Sequence, residues 1–259
     1  MTAVLAPAAA ADWRAEAKAA LGLAVSVCVP ARNEAVTIAR VVAAVLADGL
    51  VDEVVVVDDG SSDGTGALAA ALGARVVHRS GPPGKGRAMA EGILATGGDI
   101  VVFLDADVRN FDGRFVRGLL EPLLADPAVM LVKATYRRPK DGVADEGGRV
   151  TELLARPVLE RFFPELDFVR QPLAGEVAIR REALEGLVLE PGYGVEVGML
   201  IDVCRRFGPA AIAQADLGTR EHRNRPLADL SAQARQVLDA CLSRTAVPIR
   251  FGGRAVRNP

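Results

Sequence analysis

The strongest constraint in this 259-residue chain is a series of apolar runs, each of which leads straight into a polar or glycine-rich segment. Residues 24–29 read AVSVCV and lead to Pro30-Ala31-Arg32-Asn33-Glu34. Residues 53–57 read EVVVV and lead to Asp58-Asp59-Gly60-Ser61. Residues 74–78 precede a Gly/Pro loop at 79–86, and residues 99–104, DIVVFL, end directly on Asp105-Ala106-Asp107. Continuous β-branched runs, as opposed to alternating ones, are the pattern of strands buried on both faces. Stretches of helical character at 33–47, 65–72 and 84–95 separate them. Strands alternating with helices imply βαβ units, and so an α/β fold with a mostly parallel sheet flanked by helices.

Beyond residue 111 the alternation loosens. The pattern predicts helices at 115–124, 150–163 (containing Pro157), 195–207 and 227–244, and strands at 128–136, 176–180 and 210–217. A polar, Gly- and Asp-rich loop at 138–148 lies between. This divides the chain into an N-terminal helical extension, 1–22, a first half at 23–110, a second half of the same domain at 111–245, and a flexible tail at 246–259. Half the residues are hydrophobic, a quarter are charged and the net charge is −2. That balance supports a packed core and gives no overall field for nucleic acid or an acidic membrane. No uncharged run approaches the roughly 18 residues needed to span a bilayer. The first residues lack the basic start of a signal peptide. Cys28, Cys204 and Cys241 sit in apolar patterns without a C-x-x-C pair, which predicts buried free thiols and fits a reducing cytoplasm.

In open parallel sheets, ligands bind beyond the carboxyl ends of the strands. The four polar segments would therefore meet on one rim. Asp105-Ala106-Asp107 is the sharpest of them, because adjacent carboxylates repel one another and hard divalent cations favour oxygen ligands and substrate phosphates. The competing reading is a solvated turn that starts a helix. Asp58 and Asp59 are equally well explained by an Asx turn. Lys85 reads either as a phosphate contact or as an exposed lysine, and the P-loop pattern is absent. His222 stands among Arg220, Arg223 and Arg225, and reads either as a metal ligand or as a surface histidine in a basic loop. His78 ends a strand and reads as structural. Arg149 and the arginines around His222 offer guanidinium forks suited to phosphate or carboxylate.

With those residues in hand, VSVCVPARNEA, VVVVDDGSSDGT, PGKGRAM and DIVVFLDADV resemble, in that order, the GT-A glycosyltransferases, whose sheet is Rossmann-like. In the second half, GGRVTELLARPVL, QPLAGEVAIRREAL, PGYGVEVGMLID and AIAQADLGTREHRNRPL resemble the glucosyl-3-phosphoglycerate synthases. The resemblance implies retaining transfer of glucose from a nucleoside-diphosphate glucose, UDP-glucose first, to the 2-hydroxyl of D-3-phosphoglycerate. It implies that Pro30, Ala31, Arg32 and Glu34 line the uridine pocket, with Asp58 and Ser61 nearby. Lys85 would face the sugar-diphosphate, Asp105 and Ala106 the sugar, and Leu173 and Gly175 would border it. Glu196 would contact the glucose hydroxyls or help position the acceptor, which puts Asp105, Glu196 and Lys85 at the reacting centre. Arg220 and Arg225 would hold the diphosphate. Gly148, Arg149, Thr151 and Asn224 would cradle phosphoglycerate. Asp107 and His222 would bind a divalent cation, Mg²⁺ or Mn²⁺. Members of the family are typically homodimers. The nearest alternatives are a mannosyl-3-phosphoglycerate synthase, a polyprenyl-phosphate glycosyltransferase, or a nucleotide-binding protein without turnover.

Overall fold

The computed structural model describes residues 12–138, 148–221, 227–245, 249–251 and 254–256. Seven strands, β1 (Val25–Ala31), β2 (Glu53–Asp58), β3 (Arg75–His78), β4 (Ile100–Phe103), β5 (Leu131–Arg137), β6 (Val177–Arg180) and β7 (Ile212–Thr219), form one sheet in the order β3-β2-β1-β4-β6-β5-β7. Its helices are α1 (Trp13–Leu21), α2 (Ile38–Leu46), α3 (Thr65–Ala71), α4 (Lys85–Ala95), α5 (Arg114–Ala125), α6 (Arg156–Phe162), α7 (Arg181–Leu184), α8 (Val195–Phe207) and α9 (Leu227–Leu242).

The uninterrupted valines of β2 are explained by cover on both faces. Val54 and Val56 join Val27 and Val29 in a core with Ile38 and Val41 of α2 and Phe115 of α5. Val55 and Val57 join Cys28 in a second core with Met89 of α4, Leu200 of α8 and Val237 of α9. All three cysteines are buried free thiols. Burial raises the Cys241 thiol to about 12.

β6 runs antiparallel to both β4 and β5, while the other pairings are parallel. One edge of the sheet therefore gathers the carboxyl ends of β1, β2, β4, β5 and β7 together with the amino end of β6. Strand order also reverses between β1 and β4. Such a switch point opens a crevice at the carboxyl edge.

α2 starts at Ile38, later than the pattern predicts, because the chain before it is tied elsewhere. Asn33 takes a left-handed φ of 55°. The N–H groups of Asn33, Glu34 and Ala35 donate to Ser61 Oγ (3.0 Å), Thr65 Oγ1 (2.9 Å) and Asp63 Oδ2 (3.0 Å). These bonds join the loop after β1 to the turn after β2. The helix predicted at 150–163 begins with a π-helical turn, Thr151–Ala155, in which the Arg156 N–H donates to Thr151 O. The next residue, Pro157, has no N–H to offer, and a wide turn absorbs the missing bond. Within the stretch predicted as a flexible tail, β8 (Ile249–Phe251) and β9 (Arg254–Val256) pair antiparallel with each other. Among the described residues no helix is long and apolar enough to cross a membrane.

Candidate active site

The residue after Leu104, which itself follows β4, is Asp105, and its carboxylate sits between two cations. Lys85 Nζ, on the first residue of α4, donates to Oδ1 at 2.6 Å, and Arg220 Nη2, just past β7, donates to Oδ2 at 2.8 Å. The same Arg220 nitrogen donates to Asp107 Oδ1 at 2.9 Å. Lys85 also pairs with Glu196, in the first turn of α8, at 2.6 Å. Burial alone would raise the Asp105 pKa, but the charges of Lys85 and Arg220 hold the carboxyl well below its ordinary range. Burial likewise works against the charge on Lys85 and Arg220. Asp105 and Glu196 around Lys85, and Glu176 with the other acids around Arg220, more than offset it and raise both cations. All three groups stay ionised at neutral pH. The cluster is a fixed array of charges, suited to stabilising charge that develops in a water-poor site.

Support for the array comes from the amino end of β6 and from β5. Arg220 Nε donates to Glu176 Oε1 at 2.7 Å, and Tyr136 Oη donates to Glu176 Oε2 at 2.8 Å. Arg138 Nη2 in turn donates to Tyr136 Oη at 2.8 Å. Lys133, fully buried in β5, donates from Nζ to Ala174 O at 2.5 Å. Gly175 lies against Asp105 so closely that a Cβ there would meet the carboxylate.

Burial lowers the Lys133 pKa to about 8, partly countered by Glu196, Glu176 and Asp105 and reinforced by Lys85. Between pH 8 and the ordinary value of 10.5 the unfolded chain then carries a proton that the folded chain has released. Stability from this group must therefore rise with pH across that window. Lys133→Met removes the effect. The difference in unfolding free energy is expected to move by up to about 3 kcal/mol in the parent's favour between pH 8 and 10.5. Urea melts of both proteins across that range measure it, and a flat difference contradicts the assignment.

The array floors a cleft of about 730 Å³ at the carboxyl edge of the sheet. Pro30, Ala31, Arg32 and Glu34 line it from the end of β1, and Lys85 from α4. Asp105, Ala106 and Asp107 line it from the end of β4. Arg149 and Thr151 reach it from the helical stretch that leads into α6, with Gly148 just ahead of it, and Leu173, Glu196 and Arg220 complete the predicted residues that line it. Asp58 and Ser61 do not line the cleft. Asp58 accepts the Ser61 N–H at 2.9 Å and lies 3.3 Å from His78 Nδ1, so it braces the turn and gives His78 its structural partner. Gly175 acts on the cleft through Asp105 and does not line it. His222, Asn224 and Arg225 lie outside the described residues.

The sequence leaves Asp59 open between a turn and the site, and does not mark the 190–194 segment or Gln236 as part of the cleft. Asp59 pairs with Arg79 and accepts the Gly84 N–H at 2.7 Å, which pins the glycine-rich loop ahead of Lys85. Gly86 packs where a Cβ would overlap Glu190 O, so α4 abuts the 190–194 segment. That segment is held by Gln236 of α9, which accepts the Tyr193 N–H at 2.8 Å, and by Arg244, which bridges Glu190 (2.6 Å) and Asp202 (2.8 Å). The legible signals were Lys133 inside an apolar strand and Glu176 at the start of another, since ionisable residues are rarely buried without a partner.

The cleft suits a hard divalent cation. Asp107 is a quarter exposed (25%) and spends one oxygen on Arg220. Among the described residues no group of three or more His, Cys, Asp or Glu side chains could hold a metal by itself. Cations such as Mg²⁺ take much of their shell from substrate phosphates and water, which a single rim carboxylate with a phosphate ligand would satisfy.

The family model for glycosyl transferase family 2 matches residues 26–187. The chain is 50% identical over 243 residues to the glucosyl-3-phosphoglycerate synthase of Mycobacterium tuberculosis (strain ATCC 25618 / H37Rv), a match spanning 88% of this chain and 75% of that protein. It is 41% identical over 236 residues to the glucosyl-3-phosphoglycerate synthase of Petrotoga mobilis, spanning 85% and 73%. Its fold is similar to the crystal structure of the M. tuberculosis synthase in complex with Mn²⁺, UDP-glucose and phosphoglyceric acid. The TM-score is 0.84 at 47% identity, covering 95% of this chain and 87% of that one. The complex of the same synthase with Mn²⁺, UDP and glucosyl-3-phosphoglycerate matches with a TM-score of 0.84, covering 95% and 88%.

Proposed function

This chain belongs to glycosyl transferase family 2 and, within it, to the glucosyl-3-phosphoglycerate synthases, and on that premise we propose that it transfers glucose from UDP-glucose to the 2-hydroxyl of D-3-phosphoglycerate with retention of configuration. One observation supports the reading: the Lys85–Asp105–Arg220–Asp107 array and the Gly148–Arg149–Thr151 segment line a single cleft. Phosphoglycerate brings a phosphate and a carboxylate, and Arg149 with the opening turn of its helix offers the matching donors. Pro30, Ala31, Arg32 and Glu34 take the uridine, and Leu173 with Asp105 and Ala106 borders the glucose.

When bound, the divalent cation, Mg²⁺ or Mn²⁺, neutralises charge on the donor pyrophosphate; Asp107 and His222 are the residues that would hold it. Arg220 and Arg225 stabilise the departing diphosphate, and Lys85 keeps a positive charge beside it at neutral pH. Glu196 is buried against the Lys85 ammonium, with an N···O distance of 2.6 Å. A carboxylate so paired is a poor nucleophile, which favours attack on the face from which the diphosphate leaves. The leaving phosphate oxygen then receives the acceptor's proton, and positioning supplies much of the rate. The ionic substrates and the buried free thiols agree with a cytoplasmic setting, and a homodimer is the assembly to look for by sedimentation.

The test crosses UDP-, GDP- and ADP-glucose and GDP-mannose with D-3-phosphoglycerate, with and without EDTA, and reads products by mass spectrometry and NMR. The expected result is an α-linked glucosyl-phosphoglycerate from UDP-glucose, lost on chelation. Failure of every donor to add a hexose to phosphoglycerate overturns the reading.

A further inference from the structure

The arginine at the centre of the array does not face its two aspartates alone. Arg220 is 3% exposed, and its single positive charge is shared by three carboxylates. Nε is committed to Glu176, and Nη2 bridges Asp105 and Asp107. Glu176 has no exposure at all. Its second oxygen is fixed by the Tyr136 hydroxyl, which is fixed in turn by Arg138. The Arg220 guanidinium also lies over the Tyr136 ring, 5.5 Å from its centroid. A fully buried carboxylate is costly to retain, and apolar packing would serve stability as well. Here the buried charge lies one guanidinium away from the rim carboxylate assigned above to the divalent cation.

We propose that Glu176 is a positioning residue for the divalent cation: by drawing on the charge of Arg220 through Nε, it keeps Asp107 negative enough to bind the metal together with the donor diphosphate. Without the Glu176 charge, the whole positive charge of Arg220 falls on Asp105 and Asp107. A cation arriving at Asp107 then meets a more positive neighbourhood. With the carboxylate in place, Arg220 is balanced from behind and leaves the rim acid to the metal. The proposal rests on the function proposed above, and it deepens that reading by naming what sets the affinity for the cation.

The experiment reads Mn²⁺ binding directly, by EPR of free Mn²⁺ in the presence of saturating UDP. Glu176→Gln keeps the shape, an acceptor for Nε and a partner for Tyr136, and removes only the charge. It is expected to weaken Mn²⁺ binding about tenfold, as loss of a nearby charge in a low-dielectric site would, with circular dichroism and thermal melting unchanged in form. Glu176→Asp keeps the charge on a shorter arm and is expected to bind within about threefold of the parent. A folded Glu176→Gln protein with Mn²⁺ affinity within twofold of the parent, or tighter, overturns the proposal. So does a Glu176→Asp protein as weak as the glutamine variant is expected to be, which keeps the test decisive should glutamine fail to fold. A parent that binds no Mn²⁺ with UDP speaks against the proposed function instead, so the two failures are distinguishable. A purely structural role for Glu176 would lower the melting temperature and leave the Mn²⁺ affinity of the folded protein where it was.

Discussion

Gly175→Ala is expected to lower kcat/KM for glucosyl transfer by about 100-fold in a protein that still folds, because a shift of about an ångström in a reacting site costs that much. An added Cβ would lie 2.3 Å from Asp105 Oδ1, 2.4 Å from Oδ2 and 2.5 Å from Cγ. Those distances are closer than carbon and oxygen tolerate, so something must move. Asp105 has little freedom to do so, since Lys85 holds one oxygen and Arg220 the other. The 173–175 segment is fixed from its other side, where Ala174 O accepts from the buried Lys133. Whichever yields, Leu173 at the cleft wall or Asp105 at its floor is displaced. The collision is local, and the core strands of β4 and β6 are untouched, so the melting temperature should fall by only a few degrees. Steady-state kinetics with both substrates and a thermal melt separate the two effects. A variant that kept more than a third of the parent's kcat/KM would show that Asp105 and this segment yield to one another freely.

The sequence makes the first half of the fold legible because strand and helix there follow each other closely. β1, β2 and β3 pair in succession through single crossovers and β4 returns to the free side of β1, while continuous valine marks a strand covered on both faces. The convergence of Asp105, Lys85 and the 30–34 segment on one rim follows from that parallel order alone. β6 is a different case. Nothing in the string VAIR states that it runs antiparallel between β4 and β5, because that pairing is set by contacts with residues 70 to 80 positions away and about 45 positions away. Yet this one reversal delivers Glu176 and Gly175 to the same edge as Asp105. Asp58 and Asp59 are likewise indistinguishable in the sequence, where one Asx turn accounts for both. Only the fold assigns the first to the turn and the second to the loop ahead of Lys85, since the distinction depends on which way each alternate side chain leaves the end of β2. The far wall of the cleft, from Glu190 to Gly194 and α9, was illegible for a similar reason. It is assembled by Arg244 and Gln236 across segments with no shared local pattern. Where chemistry was legible in the second half, it came from resemblance and not from periodicity.

Arg220→Met should be the most damaging change to stability at this site, by about 3–5 kcal/mol at pH 7, the usual cost of removing one partner from a buried pair. The three carboxylates it serves will not suffer alike. Asp105 keeps Lys85, and Asp107 is partly open to solvent, so both retain some compensation. Glu176 has no exposure and would be left with the Tyr136 hydroxyl as its hydrogen-bond donor. The loss should therefore be concentrated on Glu176, and a second change can recover it. Arg220→Met/Glu176→Gln removes both charges, and replacing both members of a buried pair is often neutral. Urea denaturation at pH 7 is expected to place the double variant well above the single one and near the parent. A single variant that lost less than about 1 kcal/mol would mean that Glu176 finds other compensation and that the pairing seen here is weak. Turnover should not follow stability back. The double variant regains its stability while still lacking the guanidinium that the proposed reaction assigns to the donor diphosphate, so a protein as stable as the parent and nearly inactive is the outcome that separates what Arg220 does for the fold from what it does in that reaction.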